Sequence, residues 1–279
     1  MPNVDLHTHT TASDGSCTPF ELVSMANQVG LVALAITDHD TIDGLSEGLQ
    51  AAKQYGMEVI PGVEISTEFR DEMHILGYYI DRTSQQLQEG LIMLQEFRNE
   101  RNPRIIKRLA ELGVPVTMED IEKQAGGKVI GRPHIAQALM KKGYVESVND
   151  AFSRFLARGK VAYFPKEKLT PSQGVRLIAD AGGIPVLAHP KDLKLTEWEL
   201  DAVIKDLKAH GLQGIEVWYS THTEAETIQY LKLAKKYDLA ATGGSDYHGF
   251  SKPAISLGKG MGELQVDYKC VEQLKARRK

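Results

Sequence analysis

Two histidines two residues apart, His7 and His9, follow the apolar lead Val4 to Leu6, and Asp14 comes five residues later. On a strand, residues i and i+2 point the same way, so both imidazoles share a face. Two imidazoles and a carboxylate on the loop leaving that strand make a usual metal-ligand set. Alone, the trio has a second reading, a partly buried histidine pair holding a turn. The pattern recurs, however, at or near the ends of other expected strands, in His39, Glu64, His74, His189, Asp246 and His248. Together these residues gather six of the chain's nine histidines and three carboxylates. A catalytic zinc ion uses about three protein ligands, so this number points to two or three ions sharing carboxylates. Mixed nitrogen and oxygen donors suit Mn²⁺, Fe²⁺ or Zn²⁺ better than Mg²⁺ or Ca²⁺, which prefer oxygen; Mn²⁺ is the first expectation.

The elements that must position these groups alternate. Val4–His7 reads as a strand, and Thr18-Pro19 opens a helix that Gly30 ends. Leu31–Thr37 is an apolar run of the kind found in a parallel strand covered on both faces. A helix from Asp43 to Tyr55 follows, then strands Met57–Ile65 and Met73–Ile80. From Ser84 the rhythm turns helical, with Pro103 expected to kink or split the first helix. Further helices are expected after Thr117, from Gly131 and over Asp150 to Ala157, and a strand-like run at Val161–Phe164. Strand–helix alternation then resumes: strands Ile184–Ala188, Gly214–Tyr219 and Leu239–Thr242 alternate with helices that start at Thr170-Pro171, Thr196 and Thr223. This argues for an α/β fold of parallel strands, with the site at their C-terminal ends. The expected organisation is a barrel from 1–83 and 166–279 and a helical insert, 84–165, over its mouth.

Composition sets limits. The 279 residues carry a formal net charge of −4, so a large non-specific nucleic-acid surface is not expected, although a local basic patch is compatible. Cys17 and Cys270 stand too far apart for a disulfide framework or a CxxC zinc site. No leader and no membrane-length apolar run is read, and the expected location is the cytoplasm.

The ordered stretches Asp5-Leu6-His7-Thr8-His9, Thr37-Asp38-His39-Asp40, Gly62-Val63-Glu64, His74, Ala188-His189-Pro190 and Ser245-Asp246-Tyr247-His248 resemble the motifs of the PHP (polymerase and histidinol phosphatase) family. The resemblance implies a distorted (β/α)7 barrel and a trinuclear metal site that hydrolyses phosphate esters. It also implies that His7, His9, Asp14, His39, Glu64, His74, His189, Asp246 and His248 are the ligands. Asp14 stands where some members carry histidine. Gly131-Arg132-Pro133-His134-Ile135-Ala136 and Arg158-Gly159-Lys160-Val161-Ala162-Tyr163 are similar to the subfamily of 3',5'-nucleoside bisphosphate phosphatases, which includes a 5'-to-3' exoribonuclease. By that resemblance Arg132 and His134, and then Lys160 and Tyr163, contact substrate phosphate. Arginine offers a planar fork for it, and His134 lies at a helix start.

The expected reaction removes the 3'-phosphate of a nucleoside 3',5'-bisphosphate (pAp to AMP), or trims short 5'-phosphorylated RNA, with metal-bound hydroxide attacking phosphorus. Asp246 or His248 is expected to protonate the leaving oxygen, and Asp40, which flanks a ligand, to orient or transfer a proton. A histidinol-phosphate phosphatase or other small phosphomonoesterase of the family is the alternative, and a non-catalytic metal module a more distant one. No membrane or obligate protein partner is implied.

Overall fold

Seven short apolar runs become strands and line up in chain order: β1 (Val4–Asp5), β2 (Ala33–Ile36), β3 (Glu58–Thr67), β4 (Met73–Tyr78), β5 (Ile184–Leu187), β6 (Gly214–Tyr219) and β7 (Ala240–Gly244). The computed structural model describes residues 3–70, 72–127, 129–165 and 169–278. β7 returns to β1 through Leu6 N donating to Gly243 O at 3.2 Å and Asp246 N donating to His7 O at 2.8 Å, so the sheet is a nearly closed barrel. Period-two alternation separates two faces. Ala33, Ala35, Leu76, Tyr78 and Val186 point to one apolar cluster, and Leu34, Ile36, Ile75 and Leu187 to the other, which the outer helices cover.

The expectation of parallel strands throughout needs correcting at β4, which runs antiparallel to both β3 and β5. A parallel neighbour needs a crossover of a dozen or more residues, and only residues 68–72 separate β3 from β4. The reversal brings His74, at the start of β4, beside Ser66 near the end of β3.

Helices α1 (Pro19–Gln28) and α2 (Leu45–Tyr55) start and stop much as their sequence signals say. Thr18 caps α1 in a reciprocal box with Glu21, and Gly56 ends α2 at φ 64°. α3 (Gln85–Glu111) differs from expectation, because Pro103 sits inside a helix that is unbroken over 27 residues. Proline costs α3 one intrahelical hydrogen bond, but Leu87, Leu91 and Leu94 before it and Ile105 and Leu109 after it are all buried. Packing on both sides carries the helix through.

α4 (Met118–Glu122), α5 (Arg132–Lys141), α6 (Val148–Ala151) and a π-helical turn (Phe152–Leu156) follow α3 and share an apolar cluster with its second half, including Ile105, Leu109, Ile135, Leu139 and Leu156. The expected strand at Val161–Phe164 is turn and irregular backbone. Ala162 N donates to Phe155 O at 3.0 Å, so the segment folds back on the preceding turn rather than pairing with the sheet. The expected boundary at 165/166 abuts residues 166–168, which lie outside the described set. α7 (Pro171–Asp180), α8 (Glu197–Ala209), α9 (Glu224–Lys236) and α10 (Lys269–Lys275) complete the order.

Candidate metal centre

Local hydrogen bonds aim the ligand-type residues. Asp38 accepts from Thr10 N at 2.8 Å and from the hydroxyls of Thr10 and Ser13, which orders the loop that presents Asp14. Asp5 accepts from Ser245 N and Gly258 N, each at 2.8 Å, and so ties down the segment that presents Asp246 and His248. Gly244 permits the close approach of β7 to β1: a Cβ there would lie 2.3 Å from His7 N. His189 and Asp246 turn off their strands with φ of 23° and 59°, a sparsely populated region that non-glycine residues enter at functional sites.

All nine residues converge. Glu64 Oε2 lies 3.3 Å from His7 Nε2, 3.2 Å from His9 Nε2 and 3.1 Å from His39 Nδ1. Its Oε1 lies 2.8 Å from His74 Nδ1 and 3.1 Å from His189 Nε2. Asp246 Oδ1 is 3.2 Å from His9 Nε2, and Asp14 Oδ1 is 3.2 Å from His248 Nε2. Four overlapping groups result: His9, Asp14, His39 and His248; His7, His9 and Asp246; His7, Glu64 and His189; and His39, Glu64 and His74. Within each, the candidate donor atoms lie within 4.8 Å of one another.

Fit to metal ions can be tested on the buried polar atoms. His7 Nε2, His9 Nε2, Asp14 Oδ1, His39 Nδ1 and Glu64 Oε2 are buried without a hydrogen bond. Buried polar groups are normally satisfied, and here the orphans are concentrated on one centre. The electrostatics agree. Burial pushes the Asp14 and Glu64 carboxyls up, yet the surrounding imidazoles outweigh it and hold both well below the carboxylate range. Burial likewise lowers His74, but Glu64 raises it to about 10, whereas burial of His39 dominates and leaves it at about 3. Several imidazole nitrogens among ionised carboxylates, with five of the donor atoms lacking a hydrogen bond, fit divalent transition-metal ions.

Other members of the site were not visible in the sequence. Glu216, fully buried in β6, accepts from His7 Nδ1 at 3.0 Å and from His189 N at 2.7 Å. Tyr219 Oη at 2.8 Å and Lys252 Nζ at 2.6 Å donate to Asp246 Oδ2, leaving Oδ1 to the centre. Arg98 and Arg101 come from α3, where a helical run of many charges does not say which of them are buried, and both are.

The expected phosphate contacts are placed as follows. Arg132 Nη2 pairs with Glu72 at 3.2 Å, with its guanidinium 5.5 Å from the Tyr163 ring centroid. Glu72 lies 3.9 Å from His74, so this pair borders the centre. His134 is buried, and its Nδ1 accepts from Gly131 N at 3.1 Å, closing the start of α5. Lys160 is exposed on the turn after the π-helical segment. Asp40 accepts from Ser66 N at 2.8 Å and from Arg98 Nε at 3.0 Å. Beside Arg132, burial, then Arg98 and Arg132 themselves, draw the Arg101 guanidinium down to about 9. Arg101 Nε has no hydrogen bond, and its Nη2 reaches the amide oxygen of Asn102 at 3.2 Å.

Residues 5–159, more than half the chain, match the family model described as the PHP domain. The chain belongs to the PHP family. Among PHP relatives, the 5'-3' exoribonuclease Rnm of Escherichia coli is 37% identical over 258 residues, 91% of this chain and 88% of that one. The 3',5'-nucleoside bisphosphate phosphatase of Chromobacterium violaceum is 33% identical, covering 89% and 88%. The crystal structure of a protein described as a metal-dependent phosphoesterase from Bifidobacterium adolescentis superposes with a TM-score of 0.89 at 33% identity, covering 99% of this chain and 96% of that one. The barrel is thus the PHP barrel.

Proposed function

We propose that this chain is a metal-dependent phosphoesterase that hydrolyses the 3'-phosphate of nucleoside 3',5'-bisphosphates and, by the same chemistry, releases nucleotides from the 5' end of RNA. One observation carries the reading: a centre of orphaned ligand atoms is bordered by a second, cationic site built from Arg98, Arg101 and Arg132. A substrate with two phosphates a nucleoside apart fits two such sites. The relatives named for bisphosphate and exoribonuclease activity support the choice.

In this reading His7, His9, Asp14, His39, Glu64, His74, His189, Asp246 and His248 hold two or three ions of the Mn²⁺, Fe²⁺ or Zn²⁺ class. When bound, such ions acidify water and neutralise phosphate charge. A bond forms from water oxygen to phosphorus, and the bond from phosphorus to the 3'-oxygen breaks, with a proton passing to that oxygen. Asp246 and His248 are the expected proton donors. Burial raises the Asp246 carboxyl, but Lys252 and the imidazoles hold it well below its usual range, and burial lowers the His248 imidazole, so either would take the proton it donates from the attacking water. Lys252 and Tyr219 then orient Asp246, and Asp40 fixes Arg98. Acting on RNA, the same bond cleavage frees a 5'-nucleotide and leaves a 5'-phosphate on the shortened chain, so each product is the next substrate.

Arg101 and Arg132, with Tyr163 against Arg132 and Lys160 at the rim, receive the 5'-phosphate. His134 serves it by fixing the start of α5. A guanidinium withdrawn from water without a carboxylate of its own is costly, and an anionic substrate group would offset that cost at Arg101. A charge-assisted hydrogen bond contributes about 1.5–3 kcal/mol. Arg132→Ala and Arg101→Met should therefore each lower kcat/KM for adenosine 3',5'-bisphosphate about tenfold to a hundredfold while sparing p-nitrophenyl phosphate, which has no second phosphate. Equal losses on both substrates, or none, would remove the second-phosphate role.

A further inference from the structure

We propose that the groove between α4, α5 and the loops after β1 and β7 carries single-stranded RNA beyond the scissile phosphate, with Phe250 as the stacking platform for the next base. This rests on the phosphoesterase reading above and extends it from a mononucleotide to a chain. The groove holds about 450 Å³, and Lys123, Gln137, Met140, Lys141, Phe250 and Ser251 are among its walls, with no carboxylate among its described lining residues. Lys123 is held by Glu119 at 2.7 Å, so Lys141 is the cation the groove presents, beside the amides of Gln124 and Gln137, in a chain whose formal net charge is −4.

A single exposed aromatic side chain needs no explanation by itself. Phe250 is distinguished by its setting. It is 90% exposed, two residues beyond His248, yet its backbone is fixed, since Phe250 N donates to Ser16 Oγ at 2.8 Å. The preceding Gly249, at φ 64°, packs so tightly that a Cβ would lie 2.1 Å from Ser16 Oγ. The ring is thus held out into solvent by an ordered turn rather than left on a loose loop. Aromatic platforms beside basic grooves bind single strands because every base offers a face to stack on.

The groove also joins the centre on the correct side. Gln137 Nε2 donates to Ser251 Oγ at 2.9 Å, and Ser251 Oγ donates to Asp14 O at 3.0 Å, so its wall is bonded to the loop that presents Asp14. Asp14 and His248 form one ligand group, whereas the Arg132–Glu72 pair borders His74, in another. A chain whose 5'-phosphate sits at the arginines and whose scissile phosphate sits at the centre leaves past Asp14 and His248, which is where Phe250 stands.

The test uses the full chain and two readouts. In EDTA, binding of a 3'-fluorescein, 5'-phosphorylated pentaribonucleotide is followed by anisotropy. Stacking contributes about 1–3 kcal/mol per base, so Phe250→Ala should weaken binding about tenfold or more while Phe250→Tyr retains it. Lys141→Ala should reduce the salt slope by about 0.7, the single-strand value for one phosphate contact. With Mn²⁺, Phe250→Ala should lower the ratio of kcat/KM for the oligonucleotide to that for adenosine 3',5'-bisphosphate about tenfold. Binding by Phe250→Ala equal to the parent would overturn the groove. So would equal losses on both substrates, which would place the first nucleotide's own base on Phe250. The underlying reading fails separately, by absence of bisphosphate hydrolysis in the parent chain.

Discussion

Glu64 places one carboxylate oxygen within 3.3 Å of His7, His9 and His39 and the other within 3.1 Å of His74 and His189. One side chain thus belongs to two of the four ligand groups, as a carboxylate shared between ions would. Behind it, Glu216 accepts from the His7 imidazole and from the His189 backbone amide. Groups that orient metal-binding histidines typically contribute 10–100-fold in affinity or activity. Glu216→Gln should therefore weaken Mn²⁺ binding about tenfold to a hundredfold, measured by competition with a metallochromic chelator. Retention of parent affinity would show that Glu216 is only a core hydrogen-bond acceptor. The ligand-type residues were legible because residue type and strand-end position coincide in them. Glu216 was not, because it sits inside an ordinary strand and its partner His7 is 209 residues away. Arg101 was hidden for a related reason: periodicity marks charges on a helix, but not which of them the barrel will bury.

At the scale of elements, the strand order and most helix ends follow from local signals. Thr117 with Asp120 and Thr196 with Glu199 form reciprocal capping boxes at α4 and α8. A hydrogen bond from Lys142 and then those from Thr117 draw Asp120 down to about 2. The backbone and side chain of Thr196, then Arg70, draw Glu199 to about 2 as well. Both folded-state values lie below those of the unfolded chain. Their contribution is therefore fully present above pH about 4.5 and lost as pH falls towards 2. Asp120→Asn with Glu199→Gln should flatten the pH dependence of the urea midpoint between pH 4.5 and 3; an unchanged profile would assign acid sensitivity elsewhere. The β4 reversal was also legible in principle, because the five residues of 68–72 are too few for a crossover. Alternation alone pointed to parallel pairing. Pro103 misled in the opposite way, since the buried leucines and Ile105 flanking it outweigh one lost hydrogen bond.

At the scale of the molecule, the barrel gathers residues from both ends of the chain, His7 and His248, into one centre, and α3 and α5 bring Arg98, Arg101 and Arg132 to its edge. Among the described residues no helix is long and apolar enough to cross a membrane. In the proposed function the barrel holds the ions and the arginines of α3 and α5 hold an anion, which makes the substrate a molecule with two phosphates. The most direct measurement is phosphate release by the Mn²⁺-reconstituted chain, with adenosine 3',5'-bisphosphate and histidinol phosphate assayed side by side. The expected result is faster release from the bisphosphate, with AMP as the other product. Faster release from histidinol phosphate would contradict the two-site claim while leaving the metal centre standing, and release from neither by the metal-loaded chain would contradict the proposed substrate class altogether.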